Sequence, residues 1–338
     1  MKQFGKKAIL SLYLLAALPA GAGIFDKEPK PVVLEAQGNR AEEFKQLVGD
    51  GSAFEKTVKL AATGPAQVAI GKIRINFATQ TSAASTQTSW GSSKWASAYV
   101  DYKLLGVKPE VVQSIADNFY ADLVKLLASR GLAVLPQDQL MANAEFAAAV
   151  AQTKSPVATE GMMSNTASVT AFAKQTAQFS GMFDGRLGYV ALSKALNNPL
   201  VLELDFTVDF ADFKKDGHGG TSIIGASASV EHKPLLFVKS GFVRAYVGVE
   251  GMEGSRGVDF PFKEKVILPG YIAASVEKKA TSGTDVALSV LSALAGNASR
   301  SSTYEVTPVD NLPEVVGQSL LPFAEVIANA LPQATAAR

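Results

Sequence analysis

Acidic side chains at short, regular spacing have the most potential for chemistry in this sequence. Asp205, Asp209, Asp212 and Asp216 follow one another at three- and four-residue steps, and Glu203 precedes them. Such carboxylates act as a general acid and base where they face a cleft, and oxygen ligands can also bind a cation. Phenylalanines interrupt the series, and its spacing does not fit a calcium loop. The pattern favours the solvated face of an amphipathic strand. A strand lining a pore lumen and a cation site are the alternatives.

The two histidines, His218 and His232, lie fourteen positions apart. Neither has a partner at the i and i+4 spacing by which a helix presents two metal ligands. No Gly-x-Ser-x-Gly elbow accompanies them, which disfavours a serine hydrolase. The context predicts that His218 is an exposed residue of a glycine-rich turn, and that His232, beside Lys233 and Pro234, ends a hairpin. We therefore predict no catalytic residue and no metal site.

Glycine-containing segments do not match phosphate-binding loops. Gly71 and Lys72 lie inside a predicted strand, and the earlier glycine of a P-loop is missing at the required spacing. The glycines at 248–257 do not lie between a strand and a helix that is followed by a ribose-binding acid, so we interpret them as turn residues. We predict no cofactor. The nearly balanced charge, formally +1 with no basic block, argues against nucleic-acid binding.

Trp90 and Trp95 lie in a long Ser/Thr/Ala/Gln-rich tract at 79–97. The tract is too long for an ordinary loop, so it is either a mobile loop or an extended hairpin. Its tryptophans would be interfacial anchors of a membrane hairpin in one interpretation. In the other they pack the tract onto its own domain. They are the candidate residues for contact with a membrane or a partner.

The pattern between 67 and 152 predicts a strand–helix–strand–helix order. A strand at 67–77 precedes a helix at 109–129, which has a proline at its start, one apolar stripe and Gly131 after its last turn. A short buried strand at 132–135 and an alanine-rich helix at 137–152 follow. This order is typical of an α/β layer. In the first strand, simple alternation puts Val68 and Ile70 on one face and Ala69, Ile73, Ile75 and Phe77 on the other.

The second half of the chain is predicted to be rich in strands. Residues 200–210 alternate between apolar and polar side chains over an unusually long stretch. Further strands are predicted at 221–230, 235–250 and 266–272, and helices at 285–294 and 315–331. The fold class is therefore α/β (α+β): a mixed sheet with flanking helices and an additional antiparallel β-rich part.

The first residues have the three parts of a signal peptide. Three lysines precede an apolar run at 8–18, Pro19 breaks it, and Ala20 and Ala22 are small residues suited to cleavage before Gly23. The run is too short to span a bilayer. A buried core helix or a retained anchor is the alternative.

Composition and patterning together give a domain organisation. We predict a signal peptide at 1–22, a linker or amino-terminal arm at 23–64, and an α/β domain at 65–338, with a polar insertion at 79–97 and a β-rich part at 198–275. The sequence has no cysteine, which excludes disulfides, a thiol nucleophile and bacterial lipid anchoring. We expect a location in the periplasm or outside the cell, with the outer membrane as a further candidate.

One segment resembles a known family. Residues 121–135 have the form of a helix with paired leucines, a glycine and a short apolar strand, and Asp138-Gln139-Leu140 then opens the next helix. This resembles the periplasmic α/β domain of the curli export channel family and the TolB amino-terminal domain. The resemblance implies that a strand like 68–77 comes first and a strand like 201–210 follows the second helix. The curli family is lipid-anchored and this chain has no cysteine, so the resemblance implies a fold and a compartment and transfers no catalytic residue.

Three functional classes remain. The first is a non-enzymatic envelope protein that binds or assembles with other envelope proteins or with itself, as export and the lack of an active-site motif favour. The second is an oligomeric outer-membrane pore or secretion-channel component, whose hairpins contact the membrane; the strand at 200–210 is long enough for this. The third is a secreted enzyme or toxin in which Glu203, Asp205 or Asp209 acts as acid or base.

Overall fold

The computed structural model describes residues 31–34, 38–48, 67–88, 95–160, 166–180, 186–218, 227–248, 257–279 and 298–331. All of them belong to one compact unit within residues 31–338. Several expectations lie outside the described residues: the signal peptide at 1–22, most of the linker at 23–64, Trp90, the start of the strand at 221–230, and the helix at 285–294.

Six helices and twelve strands make up the described part of the chain. The helices are α1 (Arg40–Val48), α2 (Pro109–Ser129), α3 (Gln137–Met141), α4 (Ala144–Gln152), α5 (Arg186–Ala195) and α6 (Leu312–Ala330). The strands are β1 (Val32–Val33), β2 (Gln67–Thr88), β3 (Trp95–Leu104), β4 (Ala133–Val134), β5 (Val157–Glu160), β6 (Ala167–Phe172), β7 (Leu200–His218), β8 (Ser227–Tyr246), β9 (Gly257–Pro261), β10 (Val266–Ile267), β11 (Ala273–Lys278) and β12 (Ala298–Pro308).

The strands form one mixed sheet with helices on both faces. Its main order is β1-β10-β8-β7-β2-β3-β12-β11, with β4 and β6 also paired to β2, β5 to β6 and β9 to β8. β2 runs parallel to β7 and β4, whereas β7 and β8 are antiparallel. The predicted fold class, a mixed sheet with flanking helices and an added antiparallel part, is confirmed.

Two hydrophobic cores lie on the two faces of the sheet. The larger core includes residues of α1, α2 and α6, packed on one face of β2 and β7. The smaller core includes residues of α3, α4 and α5, packed on the other face around Ala69 and Val201. Because Phe44 of α1 is buried in the larger core, this part of the expected arm belongs to the folded domain.

A bulge at Gly71 corrects the predicted alternation of β2. The register of β2 with β7 shifts between Ile70 and Lys72. An extra residue in one strand reverses the facing of the residues that follow it. The apolar side chains before and after the bulge therefore share the larger core: Val68, Ile70, Ile73, Ile75 and Phe77. The prediction that Val68 and Ile70 oppose the later three is wrong for this reason.

The helix α2 agrees with its prediction at both ends. Pro109 occupies its first turn, where the missing amide proton costs no hydrogen bond. At the other end, Gly131 has φ of +78°, and the amide of Leu132 donates to the carbonyl oxygen of Leu127. Glycine adopts this left-handed conformation without strain, which explains the sharp stop before β4.

Other elements depart from the sequence prediction. The helix expected at 137–152 is two helices, because Asn143 caps α4 by accepting a hydrogen bond from the amide of Phe146 at 2.9 Å. The strands expected at 221–230 and 235–250 are, from Ser227 on, one strand, β8. The strand expected at 266–272 is only the two-residue β10. The pattern did not indicate β5, β6, β12 or α5.

Candidate functional site

The sheet divides into two long hairpins where β2 and β7 stop pairing with each other, and this arrangement is called the fork. Gln80 pairs with both Ala167 of β6 and Lys103 of β3, so β6 and β3 lie on opposite edges of β2. Arg74 pairs with both Phe172 of β6 and Asp205 of β7, so β7 lies on the same edge as β3. β7 must therefore leave β2 before β3 begins to pair with it.

The two branches are named here hairpin A and hairpin B. Hairpin A consists of residues 80–88 of β2 and 95–103 of β3, and parallel β12 extends it at the free edge of β3. Hairpin B consists of residues 209–218 of β7 and 227–237 of β8. The polar tract at 79–97 is thus the paired part of hairpin A as far as it is described. Trp95 lies at the start of β3, half-buried.

Asp209 lies at the branch point and holds the two hairpins together. The pairing of β7 with β8 shifts register on both sides of it, with the extra residue in β8 each time, at and just beyond the last pair of β7 with β2. Its carboxylate accepts hydrogen bonds from the Thr81 hydroxyl at 3.2 Å and from the Lys239 ammonium at 2.9 Å. The amide of Phe210 also donates to it at 2.8 Å. A buried, fully engaged carboxylate at this place fixes the geometry of the fork.

A second contact joins the hairpins farther along. His232 of β8 lies opposite Phe213 of β7, and its Nδ1 is 2.8 Å from the Tyr102 hydroxyl of β3. The ring of Tyr304 on β12 stacks on Tyr102 at 4.9 Å and lies 4.7 Å from the His232 ring. The prediction that His232 ends a hairpin is wrong: the residue lies within β8 and faces hairpin A.

Burial shifts the pKa values of both partners in this contact. Desolvation raises the pKa of Tyr102 to about 12, with smaller contributions from the neighbouring hydroxyls of Tyr304 and Tyr271. Desolvation also lowers the pKa of His232, and the positive charge of Lys278 lowers it further. Both groups are therefore neutral in the contact near neutral pH.

A buried ion cluster lies at the base of the fork, on the face of the smaller core. The Glu203 carboxylate accepts hydrogen bonds from Lys72 at 2.9 Å and from the hydroxyl of Tyr246. Arg244 lies 3.4 Å from its second oxygen. Glu203 is only 1 % exposed, so these partners replace the water that an ionised carboxylate requires.

Asp205 extends this cluster along β7. Lys72 lies 2.9 Å from one of its oxygens, and Nε of Arg74 lies 2.8 Å from the same oxygen. The guanidinium of Arg244 stacks on the Phe242 ring at 3.8 Å from the centroid. Three cations thus enclose two carboxylates, a geometry that stabilises one arrangement of β2, β7 and β8.

The solvated face predicted for the acidic series is wrong for its best candidates. Glu203, Asp205 and Asp209 are 1 %, 5 % and 1 % exposed. The physical reason is that strands β2 and β8 bring cations beside them, a pairing that β7 alone does not reveal. The alternation of Lys72 and Arg74 in an apolar strand was the signal that could have indicated it.

The remaining sequence candidates are not brought together. Asp212 lies apart and pairs with Lys265 at 2.6 Å. Asp216 and His218 lie in β7, where they pair with Ser229 and Ser227, and not in a turn. Among the described residues, His, Asp and Glu form no group of three that could hold a metal ion. None of the helices in the described ranges is long and apolar enough to cross a membrane.

Comparisons with known proteins add no relative. The chain matches no protein-family model, no curated protein and no solved structure.

Proposed function

We propose that this chain is an exported, non-enzymatic protein of the bacterial envelope that uses hairpins A and B to assemble with other envelope proteins or with copies of itself. The observation that carries the proposal is the fork. β2, β7 and β8 have 22, 19 and 20 residues, whereas strands usually have five or six. β2 and β7 pair with each other only as far as Phe77 and Val208, and their outer parts continue in hairpins A and B, which leaves these parts for a different role.

The surface of hairpin A supports a role in assembly. On one face, Thr81, Ala83 and Ser85 are buried, and on the other, Ala84 and Thr86 are exposed. Small side chains on a long paired strand allow close approach of another backbone or sheet. The location outside the cytosol rests on the signal-peptide pattern, and the resemblance to the curli export channel family is consistent with it.

The engagement of the acidic residues supports a non-enzymatic role. Glu203, Asp205 and Asp209 each contact at least one cation and lie in buried positions. A general acid or base must reach substrate, and these carboxylates are occupied by the fold itself. An enzyme in which Asp209 is the base predicts that Asp209→Asn abolishes activity while the fork persists. We expect instead that this variant loosens the fork.

An outer-membrane pore is the second candidate, and one observation favours it. Hairpin A has nine consecutive paired positions, from Gln80 with Lys103 to Thr88 with Trp95. A strand that crosses a bilayer needs about 9–11 residues with alternating faces. In the pore hypothesis, the hairpins of several copies of the chain enter the membrane together.

A crosslinking experiment tests assembly. Because the sequence has no cysteine, a thiol-reactive label attaches only to the cysteine that is introduced. Thr86→Cys places a photoreactive label on exposed hairpin A, and Lys125→Cys places it on α2, where the Lys125 side chain is 76 % exposed. We expect defined adducts in the cell envelope from Thr86→Cys and none from Lys125→Cys. Equal labelling by both variants, or adducts from neither, would refute the proposal.

A fluorescence scan separates the pore from other assemblies. Single cysteines at 82–87 carry a polarity-sensitive dye, and the purified protein is mixed with phospholipid vesicles. Insertion predicts blue-shifted emission at every second position, since alternate side chains then face lipid. Dye release from the vesicles should accompany it. Unchanged emission along the whole strand, together with intact vesicles, excludes the pore and leaves the assembly proposal in place.

A further inference from the structure

The aromatic contact that joins hairpin B to β3 and β12 contains one histidine, His232. Of the aromatic side chains that join them, Tyr102 and Tyr304 belong to β3 and β12, and Phe213 and His232 belong to hairpin B. The hydrogen bond between Tyr102 and His232 is a side-chain bond across this contact, half-buried, at 2.8 Å. With a proton on Nε2, Nδ1 of His232 accepts the phenol proton.

We infer that His232 is a pH-sensitive latch: its neutral imidazole holds hairpin B against β3 and β12, and its protonation releases hairpin B. The inference goes beyond assembly, because it concerns contacts within one chain and holds whatever the hairpins assemble with.

Protonation removes the acceptor that the contact uses. An imidazolium has no lone pair on Nδ1, so it cannot accept the Tyr102 proton. Inversion of the bond would place a cation in a partly desolvated contact whose acceptor, the Tyr102 phenol, is itself buried. The same desolvation and Lys278 lower the pKa of His232.

The charged surroundings of His232 come from several elements and are of both signs. β11 contributes Lys278, which lies opposite Tyr304 in the ladder with β12. The groove beside His232, about 270 Å³ in volume, is lined by charged residues of both strands of hairpin B: Asp212, Lys214, Glu231 and Lys233. Asp212 is engaged by Lys265. Tyr102, Tyr304 and Tyr271 add hydroxyl groups to these surroundings.

The latch is expected to weaken as the pH falls, because protonation and opening are thermodynamically linked. A histidine whose pKa is lowered in the latched state takes up a proton more readily when the latch is open. Above the ordinary value of 6.5 both states are neutral and the latch is intact. As the pH falls below that value, the open state gains a proton first and the latch weakens. Each unit by which the pKa is lowered shifts the ratio of latched to open molecules about tenfold.

Distance measurement between the hairpins tests the latch on the whole chain. Spin labels at Thr86→Cys of hairpin A and Lys215→Cys of hairpin B, both exposed positions, report their separation by pulsed electron paramagnetic resonance. We expect one narrow distance distribution at about pH 8 and a broader, longer and reversible one at about pH 5. Identical distributions at the two pH values overturn the inference.

Two variants assign the effect to the right histidine. His232→Gln cannot be protonated, and we expect its distance distribution to stay the same at both pH values. His218→Gln is the matched control, and we expect it to keep the pH response. A pH response that survives in His232→Gln or vanishes in His218→Gln contradicts the latch.

Nuclear magnetic resonance titration of the unsubstituted chain provides a measurement that needs no variant to fold. The sequence has two histidines, so the ring proton signals are few. We expect the pKa of His232 to lie below 6.5 and its titration to coincide with a change at Tyr102 and Tyr304. A pKa at or above the ordinary value overturns the inference, even if the chain assembles as proposed.

Discussion

Buried charge is the dominant feature at the scale of single residues. Glu203 is enclosed by Lys72, Arg244 and Tyr246, and its removal leaves Arg244 without this carboxylate and Lys72 with Asp205 alone. Breaking one side of a buried ion pair costs about 3–5 kcal/mol, far more than the loss of an exposed charge. The cluster therefore makes the sheet at the base of the fork sensitive to a single uncharged replacement.

Replacement of Glu203 tests this estimate. We expect Glu203→Gln to lower the free energy of unfolding by about 3–5 kcal/mol, because Lys72 and Arg244 remain buried without the carboxylate. Glu231→Gln, on the exposed side of β8, is the matched control and should change stability by less than about 0.5 kcal/mol. Urea denaturation at neutral pH measures both. Equal midpoints for the two variants would show that the cluster contributes little.

The same residues show why sequence could predict only part of the site. The alternation of 200–210 correctly indicated a long strand, but it could not tell whether Glu203 and Asp205 faced water or cations. The partners of Glu203, Lys72 and Arg244, are separated from it by 131 and 41 positions. Tyr102 and His232 meet across 130 positions in the same way. Pairing over such distances is fixed by sheet register, which a local pattern does not contain.

At the scale of elements, strong local signals predicted well and weak ones failed. The helix α2 has a proline start, an apolar stripe and a glycine stop, and it was placed correctly. β12 reads Ala-Ser-Arg-Ser-Ser-Thr over its first half and has no apolar alternation, and its pairing with β3 is not visible in the local sequence. The bulge at Gly71 could not be predicted from the sequence either, because an inserted residue leaves no distinct pattern of apolar side chains.

Two glycines test how elements are packed. At Gly71 an added Cβ would lie 2.9 Å from Cγ1 of Val201 and 3.0 Å from the Tyr189 ring. We expect Gly71→Ala to destabilise the protein by about 1–3 kcal/mol, because β2 and α5 must move apart. At Gly317, inside α6, an added Cβ meets no atom within 4 Å. Gly317→Ala should stabilise the protein by about 0.5–1 kcal/mol through helix propensity.

Thermal unfolding of the two glycine variants gives a signed comparison. The midpoint should fall for Gly71→Ala and rise for Gly317→Ala, so a general effect of alanine cannot produce both results. A stable Gly71→Ala variant would mean that the bulge and the smaller core tolerate an extra methyl group, against the close contacts with Val201 and Tyr189.

At the scale of the whole molecule, the described part of residues 31–338 combines a sheet covered on both faces with two long hairpins that branch from it. Two cores cover both faces of the inner sheet, whereas hairpins A and B continue beyond the ion cluster and are joined by Asp209 and the aromatic contact. Buried ion pairs and the two cores hold the base together, and one of the two contacts that join the branches contains a histidine. The His232 latch therefore lies in the part of the molecule that is proposed to assemble.

Export is the premise on which the proposed role of the whole molecule depends, and it has a direct test. The apolar run at 8–18 must remain uncharged to act as a signal, so Leu14→Arg should keep the chain in the cytosol with Met1 attached. Leu14→Ile preserves the apolar character and should be exported like the unsubstituted chain.

Cell fractionation followed by intact-mass measurement distinguishes the two forms. Exported protein should begin at Gly23, and the loss of three lysines and no acidic residue leaves 29 basic against 31 acidic residues. The processed form should therefore focus at a lower isoelectric point than the Leu14→Arg precursor. Recovery of the unsubstituted chain from the cytosol at full mass would refute a location in the envelope. The fork, its ion cluster and the His232 contact would then need a role inside the cell.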